Sequence, residues 1–437
     1  MLIEFTIGNF RSFGKPQKFS LVASNYEKNL PENMIECSLP GISGFNYLST
    51  AAVYGANASG KSNLLFAFNT LCKFVKKSFC AAPDSPTCAA PFKLNHAYQS
   101  QPTTFEVLFV ADTVRYQYNL SLTVERVVEE SLTAYPKGRS QKLYLREWNS
   151  KTNQYNWSFS NNNSTPKVLL QIAERTRPNV AFLSKSTDDG YLPFKSVYNW
   201  FSKTSKMLNI TDGLLTPLYT IEKMKTSQDQ HEQIISLLKK ADFDIVKGQI
   251  KEHNISDDEM KKYFPPQIFE KILEQIKNEK QSSLNSVSIS FSHLGEKNTD
   301  VEMDFEDEES AGTKRYFSLL GPWLDVLNNG YVLFIDELEN CLHPLLVIEL
   351  IKLFRSNYNR KGAQLIFTTH NPILLDETLL RRDQIWFTEK KHDAETCLYP
   401  LTDFNPRKGE ALVKGYLAGR YGSIPFIPNG LGFNRNE

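Results

Sequence analysis

The sequence predicts an α/β fold: a mixed sheet core built around a phosphate-binding loop, with an antiparallel β subdomain and a mainly helical insertion. Three observations carry this. Residues 55–62 read Gly-Ala-Asn-Ala-Ser-Gly-Lys-Ser. They lie between an apolar run, Ser49–Tyr54, and the helically spaced Leu64, Leu65, Phe68, Leu71, Cys72 and Val75. Strand, glycine loop, helix is the context that makes such a loop a phosphate cradle. Second, Tyr331–Ile335 and Gln364–Thr369 are short apolar runs, each followed by a helical pattern, as in a parallel core. Third, residues 104–124 alternate Phe105, Val107, Phe109 and Tyr116, Tyr118, Leu120, Leu122 around a turn at Ala111-Asp112-Thr113, the pattern of an antiparallel hairpin.

The remaining elements follow in order. Residues 2–7 alternate apolar and polar, and Asn9-Phe10-Arg11-Ser12-Phe13 follows them, a strand and then a turn. Residues 79–92, rich in Cys, Ala and Pro, read as loop. Lys142–Phe159 continues in β style, with Asn/Ser-rich turns at 149–153 and 160–164. From about 168 to 282 helical periodicity dominates, as in Ile221–Phe243 and Pro266–Lys280. Residues 284–305 return to strand texture and end in Glu306-Asp307-Glu308-Glu309, read equally well as a solvated turn or a functional acidic run. The expected division is 1–165 for the N-terminal part of the core, 166–284 for the insertion as a lid or partner-binding arm, and 285–437 for the C-terminal part. No internal repeat interrupts it.

Composition bounds the function. Of 437 residues, 41% are hydrophobic and 23% charged, ordinary values for a globular chain with a large core. The formal net charge of +1 excludes a chain that is globally a polyanion binder, though not a local basic patch. No apolar run approaches the roughly 18 residues that a membrane span needs. The opening Met1-Leu2-Ile3-Glu4-Phe5 lacks a signal-peptide layout. The six cysteines form no Cys-x-x-Cys pair, and Cys80 and Cys88 sit too far apart for a usual zinc knuckle, with no histidine at metal spacing to partner them. A cytoplasmic protein with free thiols and no membrane partner is the expectation.

The chemistry concentrates at three places. In the loop, Asn57, Ala58, Ser59, Gly60, Lys61, Ser62 and Asn63 are the nucleotide-binding candidates. Successive main-chain N–H groups would face phosphate oxygens, Lys61 would reach the β- and γ-phosphates of ATP, and the Ser62 hydroxyl would ligate Mg²⁺. Asp336 and Glu337 end the apolar run 331–335. Asp336 is the second metal candidate, and Glu337 the candidate general base for an attacking water. His370, in Thr368-Thr369-His370-Asn371-Pro372, ends the next strand, where it would meet the γ-phosphate.

These three elements, in this order, resemble the ABC-type ATPase heads of SMC, double-strand-break-repair and OLD-family proteins. That resemblance implies an ABC-type P-loop NTPase head and gives Ser310-Ala311-Gly312-Thr313-Lys314 the place of the signature, although it departs from Leu-Ser-Gly-Gly-Gln. Ser310 and Gly312 would then contact the nucleotide of the opposite subunit. Glu339–Pro344 takes the place of the D-loop. Asn9–Phe13 matches the start of SMC-like heads, which puts Arg11 and Ser12 near the nucleotide. No clean Q-loop glutamine emerges, Gln17 and Gln117 being weak candidates.

A closer resemblance rests on Ala51–Leu65, Ile3-Glu4-Phe5 with Asn9–Phe13, Leu21-Val22-Ala23-Ser24, and Gly419-Arg420-Tyr421-Gly422-Ser423-Ile424-Pro425. Together these are similar to the AAA-ATPase-like ATP-binding proteins, which include the ATPases of the abortive-infection AbiL system and the RloA proteins. The ABC-type head resemblance implies a homodimer or higher oligomer, with the nucleotide shared between subunits. The closer resemblance implies an anti-phage role beside a separate effector, such as an RloB-like protein or a nuclease or toxin subunit. The segment Gly415–Pro425 itself yields no derivable chemistry and reads first as an ordinary C-terminal loop, with a docking or nucleotide-adjacent role as the alternative. The rival expectation is an SMC-like DNA-binding ATPase of repair or maintenance, supported by Lys73, Lys76, Lys77, Lys223 and Lys225, which read more simply as solvated helix faces. Nucleic acid therefore stays open as a partner. A transporter subunit is disfavoured, since the N-terminal motif belongs to the soluble group.

Overall fold

The computed structural model describes residues 1–36, 44–160, 166–208, 217–241, 244–254, 285–296, 299–407 and 409–425. In chain order the strands are β1 (Leu2–Gly8), β2 (Gln17–Ser20), β3 (Met34–Glu36), β4 (Asn46–Leu48), β5 (Thr50–Gly55), β6 (Thr103–Ala111), β7 (Val114–Leu122), β8 (Val127–Tyr135), β9 (Gln141–Asn149), β10 (Gln154–Phe159), β11 (Ser205–Leu208), β12 (Ile245–Asn254), β13 (Asn285–Leu294), β14 (Asp300–Asp304), β15 (Val332–Ile335), β16 (Gln364–Thr369), β17 (Ile385–Lys390) and β18 (Thr396–Pro400). Two units separate: Met1–Leu214 with Val326–Glu437, and Leu215–Asp325.

In the first unit, β5, β15 and β16 are buried at every residue. Unbroken apolar strands of this kind need cover on both faces, which a parallel sheet provides. They form the centre of a sheet ordered β11-β15-β16-β5-β17-β18. All of its pairings are parallel except β17 with β18. Helix α1 (Lys61–Lys77) leaves the loop after β5 and buries Leu64, Leu65, Phe68, Leu71 and Val75. Those are the positions whose spacing marked the helix.

The second sheet of this unit is antiparallel, ordered β10-β9-β8-β7-β6-β1-β2. Strand β6 alternates strictly between buried and half-buried residues, so Phe105, Val107 and Phe109 point into the core. Between the sheets lies one aromatic-rich cluster. Phe68 of α1 packs edge-on to Phe5 of β1 and stacks on Phe334 of β15 with ring centroids 4.3 Å apart. Gln364 of β16, fully buried, ties the two sheets: it accepts the Leu2 N–H at 2.7 Å and donates to the Leu2 and Leu48 oxygens. A buried carboxylate organises the far side. Glu130 accepts the N–H groups of Phe182 and Leu183 and the hydroxyls of Tyr118 and Tyr144. It therefore serves the start of the helix Phe182–Asp188.

The second unit pairs β12, β13 and β14 antiparallel and adds the helices Pro217–Thr226 and Gln228–Lys240. The division differs from the expected one at both ends. Residues 167–204 pack into the first unit, because Leu169, Ile172, Phe182, Trp200 and Phe201 belong to its core cluster. Strands β13 and β14 group with the second unit, because β13 pairs with β12 along Ile245–Asn254. The periodic stretch Ile221–Phe243 is two helices, broken where Ser227 caps the second by accepting the Gln230 N–H. The expected helix Pro266–Lys280 and Phe243 lie outside the described residues. The acidic run 306–309 closes a turn: Asp304 accepts the Glu306 and Asp307 N–H groups, and Glu309 meets His293 at 2.6 Å.

Candidate functional site

The loop Gly55–Ser62 sits between the end of β5 and the start of α1, as its sequence context requires. Its curl depends on two glycines. A Cβ on Gly55 would stand 2.4 Å from both Ser59 Oγ and Thr388 Oγ1. Gly60 has φ 112°, a conformation that favours glycine, and its Cβ would lie 2.3 Å from Thr396 Oγ1. Ala58 also takes a positive φ, 62°. Thr388 and Thr396, from β17 and β18, lock the loop. Ser59 Oγ is 2.6 Å from Thr388 Oγ1, and Thr396 Oγ1 donates to the Ser59 oxygen at 2.8 Å. No sequence motif marked these two threonines, since each sits in an ordinary strand pattern.

Lys61 is almost fully buried, and its Nζ donates to the oxygens of Gly55 at 2.9 Å and Ala56 at 3.0 Å. Burial pulls its pKa down to about 8, against the charges of Asp336, Glu337 and Glu339, which act to raise it. Asn57 and Ala58 are exposed at the loop crest.

On one side of the loop stand Arg11 and Ser12. Asn63 of α1 donates to Ser12 Oγ at 2.8 Å, and Arg11 reaches Asn63 Oδ1 at 3.4 Å. The turn that presents them is held by the Phe10–Phe13 main-chain pair and by Arg11 N–H on the Ala90 oxygen. The Arg11 guanidinium also lies 4.8 Å from the Phe66 ring centre. These residues line a cavity of about 470 Å³ together with Phe92, Leu94 and Lys390.

On the other side is a cavity of about 1070 Å³ lined by Gly55, Ala56, Asn57, Ser59, Glu337, Glu339 and His370. Asp336 and Glu337 follow β15, and His370 follows β16. Thr368 orients the acidic pair: its hydroxyl donates to Asp336 Oδ1 at 2.6 Å and accepts the Glu337 N–H at 2.7 Å. Glu337 takes φ 51°, a strained choice for a side-chain-bearing residue. Its carboxylate stands 3.9 Å from His370 Nε2. The His370 pKa lies below its ordinary value, through burial first and the Lys61 charge second, while Glu339, Glu337 and Asp336 oppose the shift. Glu339 Oε1 accepts the His370 main-chain N–H at 2.6 Å.

The segment Gly415–Pro425 also reaches this cavity, through Tyr416, Leu417, Ser423, Ile424 and Pro425. Tyr416 and Tyr421 both stack on Phe387 of β17, and Ser423 Oγ lies 3.0 Å from the Tyr399 hydroxyl. Gln17 and Gln117 do not join the site. Gln17 accepts the Leu398 N–H, and Gln117 bonds Glu106 and Tyr135 within the antiparallel sheet.

Ser310 and Gly312 lie in the second unit. Ser310 Oγ accepts the Thr313 N–H at 3.1 Å, at the start of the helix Ala311–Asn329. In the same unit Lys223 pairs with Asp325 at 3.1 Å, so one of the candidate basic positions is neutralised locally.

Ser62 and Asp336, the two candidate metal ligands, carry the hard oxygen donors that Mg²⁺ takes. Among the described residues no three His, Cys, Asp or Glu side chains converge as a metal cluster. A cation would rest on the hard oxygens of Ser62 and Asp336 and on oxygens that the nucleotide brings, which is how Mg²⁺ is usually held. Among the described residues no helix is long and apolar enough to cross a membrane.

Comparison with curated protein sequences gives no match. Among solved structures, the SMC head domain from Thermotoga maritima is 13% identical, covers 91% of this chain and 98% of its own, and gives a TM-score of 0.38. The recombination mediator protein RecF-ATPrS is 14% identical, with 91% and 98% covered and a TM-score of 0.35. The family described as "AAA domain, putative AbiEii toxin, Type IV TA system" matches residues 51–376, more than half of the chain, from the strand before the loop to just past His370. The chain belongs to this AAA-domain family of ATPases.

Proposed function

We propose that the chain binds ATP with Mg²⁺ at Gly55–Ser62 and hydrolyses it, and that the cycle controls a separate effector protein in an anti-phage, abortive-infection system. The observation that carries the catalytic part is the single cavity shared by the loop, Glu337 and His370. Bound Mg²⁺, held by Ser62 and Asp336, would offset charge on the β- and γ-phosphates. Lys61 exchanges its two carbonyl contacts for phosphate oxygens. Glu337 takes a proton from the attacking water, its main chain fixed by Thr368. His370 donates a hydrogen bond at the γ-phosphate end. Arg11, Ser12 and Asn63 hold the nucleotide on the other side of the loop.

The composite site belongs to the same proposal. Ser310 and Gly312 of one copy would complete the nucleotide site of a second copy, which makes the working unit at least a dimer. The defence role draws on the family's own description, a putative toxin of a toxin–antitoxin system.

Two measurements test this. Purified wild-type chain should release phosphate from ATP only with a divalent cation, and Lys61→Ala and Glu337→Gln should abolish turnover. A cation-independent rate would remove the Ser62–Asp336 assignment. In cells carrying the chain with its neighbouring genes, both substitutions should abolish phage protection. Protection that survives them would end the regulatory reading. Tight, salt-sensitive DNA binding strengthened by ATP would instead favour an ATPase that acts on DNA.

A further inference from the structure

Two buried polar atoms beside the loop have no partner among the described residues: the Tyr54 hydroxyl and Glu339 Oε2. Their chemistries are complementary. Tyr54 is fully buried, and its phenol is kept protonated by burial first and by the Glu339 charge second, so it is a donor without an acceptor. Glu339 Oε2 is an acceptor without a donor. Leaving both unmade costs free energy that one bridging water would recover.

Their places in the chain give the pair a consequence. Tyr54 immediately precedes Gly55, the first residue of the loop. Glu339 stands three residues after Asp336, and its other oxygen accepts the His370 main-chain N–H at 2.6 Å. The segment around it is already tied to β16. Leu338 N–H donates to the Thr368 oxygen, and Asn340 N–H closes a turn onto the Glu337 oxygen. Lys61 from α1, together with Asp336, Glu337 and Glu339 from the segment after β15, are the charged groups that act on His370.

We infer that Glu339 is a positioning residue for hydrolysis: one carboxylate oxygen fixes the His370 main chain and the other takes the Tyr54 hydroxyl through one bridging water, so that the loop strand and the His370 turn hold one geometry. Glu339 acts through His370 and Tyr54, not on the nucleotide. A proton-abstracting role for Glu337 needs His370 and the loop in fixed relation, and this pair of bonds supplies it. The inference rests on the ATPase reading.

The test uses the full chain with Glu339→Ala, Glu339→Gln, Tyr54→Phe and the double variant Glu339→Ala/Tyr54→Phe. Steady-state turnover and ATP affinity are read separately. Glu339→Ala should lower kcat at least about tenfold while KM and nucleotide affinity stay within about twofold. Glu339→Gln keeps an oxygen for the His370 N–H and should restore most of kcat. Tyr54→Phe should lower kcat less, and add nothing to Glu339→Ala in the double variant. In nucleotide-free protein, amide exchange over residues 367–372 should speed up in Glu339→Ala and return to the wild-type rate in Glu339→Gln. Wild-type kcat in Glu339→Ala, additive losses in the double variant, or a Gln variant as slow as the Ala variant would each overturn the inference. A wild-type chain that does not turn over ATP overturns the ATPase reading instead, and the exchange measurement still decides the Glu339–His370 link.

Discussion

Lys61 Nζ donates to the main-chain oxygen of Gly55, 2.9 Å away, so the lysine of the loop is held by the residue that opens it. Two carbonyls solvate an ammonium group but do not neutralise it, and burial therefore brings its pKa to about 8. A triphosphate would replace those carbonyls with anionic oxygens and raise the pKa. Linkage then fixes the sign: affinity for ATP is greatest below pH 8 and weakens above it, by up to about tenfold per pH unit until the raised pKa of the complex is reached. Calorimetric titrations at pH 7 and pH 9 should show that loss, with proton uptake on binding near pH 8. The free protein behaves oppositely. Its unfolded state binds more protons between about 8 and 10.5, so stability without nucleotide rises across that window. A Lys61→Met chain should lose both effects along with ATP binding.

Thr368 is the hinge of the acidic pair. Its buried hydroxyl both donates to Asp336 and accepts from Glu337 N–H. Thr368→Val keeps the shape and removes both bonds, leaving a main-chain N–H and a carboxylate oxygen unpaired. Each such loss costs about 1–3 kcal/mol. Denaturant unfolding should report a total of about 2–6 kcal/mol, and kcat should fall because Glu337 no longer holds its strained φ. Nucleotide affinity, set by the loop, should change little. A variant with lost affinity and unchanged kcat would reverse this division of labour.

What the sequence made legible was governed by local pattern. The loop, Glu337 and His370 each follow an apolar strand, and adjacent parallel strands brought them to one cavity. The Arg11-Ser12 turn was found by resemblance, and Asn63 explains its place, since that side chain reaches both residues. Long-range partners were invisible. Thr388 and Thr396 lie more than 300 residues from Ser59, which they bind, and nothing in their own strands sets them apart. The Gly415–Pro425 segment was readable only as a run of Gly, Tyr and Arg. Its packing against Phe387 turns it into a wall of the cavity. The division into units was misjudged by texture, because β12 pairs with β13 across a long stretch of chain, and pairing does not show in periodicity.

Gly60 tests the loop without touching its charges. At φ 112°, and with Thr396 Oγ1 only 2.3 Å from the Cβ it would gain, Gly60→Ala must change the backbone or push β18 aside. Backbone strain alone is on the order of 1–3 kcal/mol. Thermal unfolding should show a loss of at least that size, and a fluorescent ATP analogue should bind at least about tenfold more weakly. The companion Thr396→Ser tests the lock from the other side. It keeps the hydroxyl bond to the Ser59 oxygen and removes a methyl, so binding should stay close to wild type. A Gly60→Ala chain that binds ATP normally would show that the loop opens away from β18 when it takes up nucleotide.

His370 gives the pH signature of the catalytic step. In the free protein its pKa lies below the ordinary 6.5, since burial and the Lys61 charge both disfavour the imidazolium. Stability should therefore fall as pH drops through the window between 6.5 and that lower value, because the unfolded state binds the proton first. ATP changes the balance. The triphosphate offsets Lys61 and adds negative charge beside the imidazole, so the pKa rises in the complex. The acid limb of kcat/KM reports the free enzyme and should lie below pH 6.5, while the acid limb of kcat reports the complex and should lie at higher pH. His370→Gln keeps a hydrogen-bond donor but cannot titrate. Its kcat should be reduced and flat across the same range, and a limb that persists unchanged in the Gln variant would rule out His370 as its source.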